Sequence, residues 1–404
     1  MKNKTFIQLS IMMLMQFLLF AVWWVPFAAY LDNLSYLESY HRWLLLCTYP
    51  IGCMAAPLVG VIADRYLSSE KLLAGLNVMV AIFLFFATQQ THFAGLMITV
   101  TLAMLCYMPS WSLTSSIAMT HLSSEQFPRV RLMGSIGWFA ASGFSLAAIN
   151  LFDVKAFDGT ILPLYCGVGV TILTALLNLF LPKTPPSMHK SSTFSVSDIF
   201  GFRIISELKN KHFNRFILIT LLTLIPFTLF YTYGSIFLAD QNYTYITFTL
   251  NWGLIPEVIF LFITTLIIVK YGFKNVLLFG LSAMLFRYIS LYIGVELGQP
   301  SLYIVGILMH GLIFGLFFVS GQVYTNKVVP DKYRAQAQGL LAFLTWGVGI
   351  FAGNMISGWL KDNILVNGQT NWSLLFAISA IATLAIIVLH LLLFKNPPAE
   401  DNNQ

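Results

Sequence analysis

Apolar runs of about 20 residues recur along the whole chain, and no other feature limits its possible folds so strongly. Wound as helix, a run of that length crosses the ~30 Å hydrocarbon core of a bilayer. Twelve can be placed, at 6–30, 43–63, 71–90, 94–118, 131–152, 160–182, 213–239, 245–269, 274–294, 300–326, 335–359 and 371–394. Charged residues make up only 9% of the 404, against about 25% in a soluble protein. Strand-like alternation is absent, which argues against a barrel. The fold class expected is an all-α integral membrane protein of twelve transmembrane helices.

The basic residues orient it. All but four of the 22 Lys and Arg fall at the N-terminus, in alternate loops, in the central loop or at the C-terminus. Arg42, Lys155 and Lys361 fall on the other side, and Arg287 lies within a span. The positive-inside rule makes the majority side, and both termini, cytoplasmic. The net charge of +6 thus marks topology and calls for no nucleic-acid partner. The first run is long enough to read as a span rather than a cleavable signal peptide. Cys47, Cys53, Cys106 and Cys166 all lie in apolar runs without CxxC spacing, the pattern of buried inert thiols rather than disulfides or metal ligands.

A polar, Ser-containing stretch, 183–211, divides the spans six and six. It reads as a cytoplasmic linker, with an amphipathic helix at 197–210. Residues 1–182 and 212–394 are then two six-helix bundles, and 395–404 is a cytoplasmic tail. Corresponding loops carry corresponding basic clusters. Gly60-Val-Ile-Ala-Asp64-Arg65 follows the second span and Lys270-Tyr271-Gly272-Phe-Lys274 the eighth. Phe127-Pro128-Arg129-Val-Arg131 follows the fourth and Pro330-Asp331-Lys332-Tyr-Arg334 the tenth. Two such repeats are the plan of the major facilitator transporters, which hold solute near the midplane.

Glu257 is the carboxylate placed deep in an apolar run, Phe248 to Val269. Inserting it costs at least ~2.5 kcal/mol, so a functional use or a fixed partner is expected. The candidate partners are Arg287 and Arg131. Pro256, just before it, is a helix-breaking signal near a site. Arg131, Ser135 and Trp138 recur at i, i+4 and i+7, so a guanidinium, a hydroxyl and an aromatic plane share one helical face. That set suits a polar, ring-bearing solute; the plainer readings are a topology anchor for Arg131 and a core aromatic for Trp138. Further polar candidates within spans are Gln16, Thr228, Tyr231, Asn251, His310, Gln322 and Asn354. His310 can relay a proton, although a lone histidine in a span is more often packed. Gly347, Gly349, Gly353 and Gly358 suit close helix packing.

Several stretches together resemble the nucleoside:proton symporter family of the major facilitator superfamily. They are Ala63-Asp-Arg-Tyr-Leu-Ser, Tyr107-Met-Pro109, Phe127-Pro-x-x-Arg131-x-x-Gly134-Ser135-Ile-Gly137, Tyr271-Gly-Phe-Lys-Asn275, Arg287 and Arg334-Ala-x-Ala-Gln338-Gly339. The resemblance runs from the first span to the last. It implies that Arg131, Ser135, Trp138, Thr228, Tyr231, Glu257 and Phe314 stand at solute-binding positions. It also implies that Glu257 couples the proton and that Asp64 and Arg65 gate. Arg287 is expected to be structural. Four positions depart from the pattern. Thr228 and Tyr231 stand where the family has amides, Leu254 where it has Gln, and Gly315 where it has an acid. Each partner lost leaves a hydrogen bond worth ~1–3 kcal/mol unmade in a dry site.

The expectation is a bacterial inner-membrane symporter importing a nucleoside or similar polar solute with a proton, as a monomer and with no cofactor. The alternative is a sugar or glycoside permease of the same superfamily. The chain has no phosphate-binding G-x-x-x-x-G-K-[ST] motif, so the energy must come from a gradient. No catalytic or metal-binding constellation stands out, and no enzyme is expected.

Overall fold

The structure is a computed structural model that describes residues 2–123, 126–186, 211–330 and 333–394, apart from the side chains of Lys2, Asp64 and Ala335. The expected helix at 197–210 and the tail at 395–404 lie outside these residues. Among them, ten helical stretches are long and apolar enough to cross a membrane.

The helices of the first part of the chain are α1 (Asn3–Asp32), α2 (Ser39–Ala63), α3 (Ser69–Thr88), α4 (Phe93–His121) and α5 (Phe127–Leu151). The shorter apolar α6 (Leu162–Asn178) follows. Then come α7 (Lys211–Asp240), α10 (Pro300–Val328), α11 (Gln336–Asn363) and α12 (Trp372–Leu393). Between α7 and α10 a single stretch, Ile246–Leu297, is broken at Gly272, with φ 75° and ψ 162°. Only glycine takes that conformation readily. It turns the chain where the basic loop was expected and yields α8 (246–271) and α9 (273–297). Leu365–Val366 and Gln369–Thr370 form a small hairpin, β1 and β2. Its turn residues Asn367 and Gly368 have φ of 54° and 79°, as a two-residue hairpin turn requires.

Many spans are interrupted. α1 breaks before Pro26, α4 at Met108–Pro109 and α8 at Trp252–Gly253. Proline within a span removes one intrahelical hydrogen bond and displaces the preceding carbonyl. α10 and α11 each contain a π-helical stretch, Phe314–Val319 and Phe343–Gly349; such stretches are frequent at functional sites.

The chain forms two compact units. The first takes Met1–Phe194 with Thr228–Asn251 and Ile350–Asp362; the second takes Ser195–Phe227, Trp252–Gly349 and Asn363–Gln404. Three of the five passages between them fall at local irregularities. One follows Pro226 in α7, one lies at the Trp252–Gly253 break, and one ends the π stretch of α11.

In the first unit α1 crosses α5 with almost no side chain between them. A Cβ on Gly137 would stand 2.1 Å from the Leu14 carbonyl oxygen. Gln16 and Asn77 exchange two hydrogen bonds (2.9 and 3.2 Å), and Gln16 also donates to Ser110 (2.7 Å). This buried network ties α1 to α3 and α4 with its polar atoms paired, as a low-dielectric interior demands. In the second unit Arg287 is fully buried, and its Nε donates to the Gly306 carbonyl at 3.0 Å, joining α9 to α10. Tyr288 donates its hydroxyl to the Pro226 carbonyl at the α7 kink.

The cysteines are free thiols, but only Cys47 is fully buried; Cys53, Cys106 and Cys166 are half-buried. Gly60 has open space around it, with nothing within 4 Å of a Cβ built there. The close helix approach expected in the eleventh span is found at Gly349, against Leu224, and at Gly358, against Trp43.

Candidate functional site

In the first unit, Arg131, Ser135 and Trp138 lie on α5 as their spacing predicts. Arg131 is exposed and the other two are half-buried. The Arg131 guanidinium carbon lies 4.5 Å from the centre of the Phe17 ring, a cation–π distance. Phe17 stacks on Trp111 at 5.4 Å, and Trp138 meets Trp111 at 6.5 Å and Phe20 at 5.8 Å, both edge-on. Gly134 makes this possible, since a Cβ there would stand 2.8 Å from Arg131 Nη1 and 3.0 Å from Phe17.

The aromatic surface continues. Phe20 stacks on Tyr107 at 4.5 Å, and Trp111 Nε1 donates to the Tyr107 hydroxyl at 2.9 Å. Tyr49 approaches Trp24 (5.5 Å), Trp111 (6.5 Å) and Tyr231 (6.4 Å). Arg131, Trp138 and Tyr231 are therefore joined by one aromatic cluster. The rings offer faces for a planar heterocycle; the guanidinium offers a fork of donors for hydroxyl or carbonyl oxygens. Sequence reasoning found Arg131 and Trp138 but missed Phe17, Phe20, Tyr49 and Trp111, which only the packing of α1, α2 and α4 brings in. Thr228 has no exposed surface.

In the second unit, Glu257 occupies the first turn of the helix that restarts at Leu254. The free N–H groups and dipole of that turn favour an anion. Pro256 is tolerated there because a first-turn residue needs no N–H. Glu257 Oε2 lies 3.6 Å from His310 Nε2, with side chains 13% and 20% exposed. His310 is stacked at 6.0 Å from Phe227 and lies 6.1 Å from Phe314, which in turn lies 6.2 Å from Trp346. Arg287, one of the partners expected for Glu257, donates its Nε to the Gly306 carbonyl, and His310 is an ion-pair neighbour of Glu257 that was not expected. The two belong to different spans, 53 residues apart, and no sequence spacing links them.

Gly315 has no room for a longer side chain. A Cβ there would stand 2.6 Å from the Phe260 Cβ and 3.3 Å from Thr264 Oγ1. Below Phe314, a cleft within the second unit is lined by Phe318, Gln322, Gln338, Thr345 and Trp346, among others. Gln338 donates to the Gln322 carbonyl (2.7 Å) and Asn326 Oδ1 (2.9 Å).

Of the expected gating pair, Arg65 is half-buried at the last turn of α2, where a cation suits the helix dipole; the Asp64 side chain is not among those described. A polar cluster that the sequence did not reveal lies at the opposite end of α2, within the first unit. Asp32 accepts from Arg42 (2.9 Å) and Lys361 (3.4 Å). Trp43 Nε1 donates to Asp362 (3.0 Å), and Asn354 donates to the Leu46 carbonyl (3.0 Å). Asp158, 8% exposed, accepts from the Thr247 amide (3.0 Å), the Thr247 hydroxyl (2.7 Å) and the Ser145 hydroxyl (3.1 Å). Asn251 donates to Ser142 (2.8 Å). Two of the cations that break the charge asymmetry, Arg42 and Lys361, are thus the ones paired with Asp32.

A family model described as a nucleoside H+ symporter matches residues 3–399. The chain is 30% identical to the putative nucleoside transporter YegT of Escherichia coli (strain K12), over 98% of this chain and 95% of that protein. It is 24% identical to the nucleoside permease NupG of the same organism, over 96% of each. A crystal structure of a mutant of the nucleoside transporter NupG matches the fold with a TM-score of 0.88 at 24% identity, covering 97% of this chain and 100% of that one.

Proposed function

The chain belongs to the nucleoside H+ symporter family, and from that premise we propose that it carries nucleosides across the bacterial inner membrane together with protons. It is a transporter and not an enzyme. The family match over residues 3–399 carries this reading. It does not favour the sugar or glycoside alternative.

On this reading the ten span-length stretches, with α6 and the division of one stretch at Gly272, amount to twelve spans with cytoplasmic termini. Residues 1–182 and 212–394 are the bundles that alternate access, working as a monomer on the proton gradient without a cofactor. Arg131, Ser135, Trp138 and Tyr231 face the solute, and the aromatic rings around Arg131 support that role. Thr228 belongs to the same solute-binding set on α7 and has no exposed surface. Glu257 and Phe314 of the second unit bind solute as well, and Glu257 takes the proton. Its first-turn placement lets it ionise on release, and its half-burial lets a proton reach it. Asp64 and Arg65 stabilise the state closed on the cytoplasmic side.

The test is uptake of radiolabelled uridine into proteoliposomes under an imposed pH gradient, acid outside. Accumulation that a protonophore abolishes, and that unlabelled nucleosides but not sugars compete away, is expected. Competition by sugars alone would overturn the substrate assignment; accumulation indifferent to the protonophore would overturn the coupling.

A further inference from the structure

We propose that the coupling proton is held by a pair, Glu257 and His310, and that His310 is a proton-carrying residue of this transporter. The inference rests on the symport reading above and adds a second titrating group to it.

Three observations carry it. The first is the distance: 3.6 Å between Glu257 Oε2 and His310 Nε2. That is too long for a direct hydrogen bond and short enough that a proton, a water or a solute hydroxyl can bridge the two. The second is how rigidly the distance is set. A Cβ on Gly311, next to His310, would lie 2.0 Å from the Glu257 amide nitrogen, and one on Gly253 would lie 2.9 Å from the His310 Cβ. The backbones of α8 and α10 touch on both sides of the pair. The third is the crowding at Gly315, where Phe260 fills the space a side chain would need. A carboxylate cannot be housed there without moving α8 and α10 apart. The titratable side chain that does lie against Glu257 is the imidazole of His310, one turn earlier.

The charged groups that bear on His310 are Glu257 from α8 and Arg287 from α9, the latter close enough to act on its charge. From α7 it meets the Phe227 ring and from its own helix Phe314, both without charge. The pair without a proton carries one negative charge. One proton taken from the outer water makes the pair neutral, shared between carboxylate and imidazole, and solute binds to that form. After the solute leaves, the proton passes to the inner water and the negative pair is restored. No other reactant is needed.

The experiment measures two quantities in proteoliposomes, uridine-driven proton uptake with a pH-sensitive dye and uridine exchange at equal pH. Exchange needs no net proton transfer. For His310→Gln, proton uptake is expected to fall at least fivefold and the dependence of uridine accumulation on pH between 5 and 8 to flatten, with exchange retained. His310→Tyr keeps a ring against Phe227 and a hydrogen-bond donor towards Glu257 but does not titrate in that range, so it is expected to give the same split and covers the case in which Gln misfolds. Wild-type proton uptake and an unshifted pH profile in either folded variant would overturn the proposal. So would parallel loss of exchange in both, which would make His310 a packing residue. A wild-type protein that accumulates uridine with no proton movement would overturn the symport reading itself, an outcome visible before any variant is made.

Discussion

The amide nitrogen of Glu257 occupies the space a side chain on Gly311 would need: a Cβ there would stand 2.0 Å from it and 2.4 Å from the Pro256 carbonyl carbon. The carboxylate that a membrane helix can least afford is therefore fixed by backbone contact, and its neighbour His310 is delivered by the residue next to that glycine. Gly311→Ala must push α8 and α10 apart. Overpacking of this kind costs about 1–3 kcal/mol, so a lower thermal midpoint in detergent and loss of uridine accumulation are expected. Gly339→Ala, with nothing within 4 Å of the new methyl, is the matched control and should change neither.

Arg131 meets the Phe17 ring in a way that depends on a planar cation. Lysine keeps the charge but loses the flat fork and the stacking. A charge-assisted hydrogen bond is worth about 1.5–3 kcal/mol, so Arg131→Lys should raise the KM for uridine by about tenfold to a hundredfold. The amount of folded protein should be unchanged, because Arg131 is exposed. A KM within twofold of wild type would remove Arg131 from the solute site.

Asp32 holds Arg42 and Lys361 together, and Lys361 is 9% exposed. The pairs keep some solvent, which limits each to the 0–1 kcal/mol of partly screened ion pairs. Asp32→Asn should therefore shift the conformational balance rather than unfold the protein. Opening at this end should become about fivefold more frequent for ~1 kcal/mol. Cys47, 1% exposed and adjacent to the Leu46 carbonyl that Asn354 bonds, reports it. In a background with the other three cysteines replaced by Ser, its maleimide labelling rate should rise by that factor.

The spans were legible because hydrophobic length is a local signal. Even the turn between α8 and α9 fell where Lys270 and Lys274 had marked a loop, and Gly272 supplied the φ it needed. The α5 face was legible for the same reason, since i, i+4 and i+7 is a local relation. Contacts between helices were not. Nothing in the sequence says that His310 meets Glu257, that Phe17 underlies Arg131, or that Asp32 pairs with Lys361, 329 residues away. The sequence offered hints without partners: a proline before Glu257, an unexpected glycine at 315, and lone cations at Arg42 and Lys361. Each proved to mark a contact with another helix, the adjoining one for Arg42 and one 329 residues away for Lys361.

Asp158 gives a pH signature outside the spans. It lies in the 152–161 connection and caps the start of α8 through Thr247. Burial pushes its carboxyl above the ordinary value of 3.8, and the hydrogen bonds from Thr247 and Ser145, which favour the anion, offset only part of that. The folded protein thus binds this proton more tightly than the unfolded chain does. Its contribution to stability is fully present below pH 3.8 and is lost as pH rises through the folded-state value. An amide can serve the same donors without titrating, its carbonyl facing the Thr247 amide and its NH2 the Thr247 hydroxyl. Asp158→Asn should therefore fold normally and remove one downward step from the thermal midpoint as pH is raised from just below 4 towards neutrality. The check is a paired series of unfolding curves for wild type and variant over that range. Parallel curves would show that Asp158 does not titrate there, and that its hold on Thr247 is independent of pH.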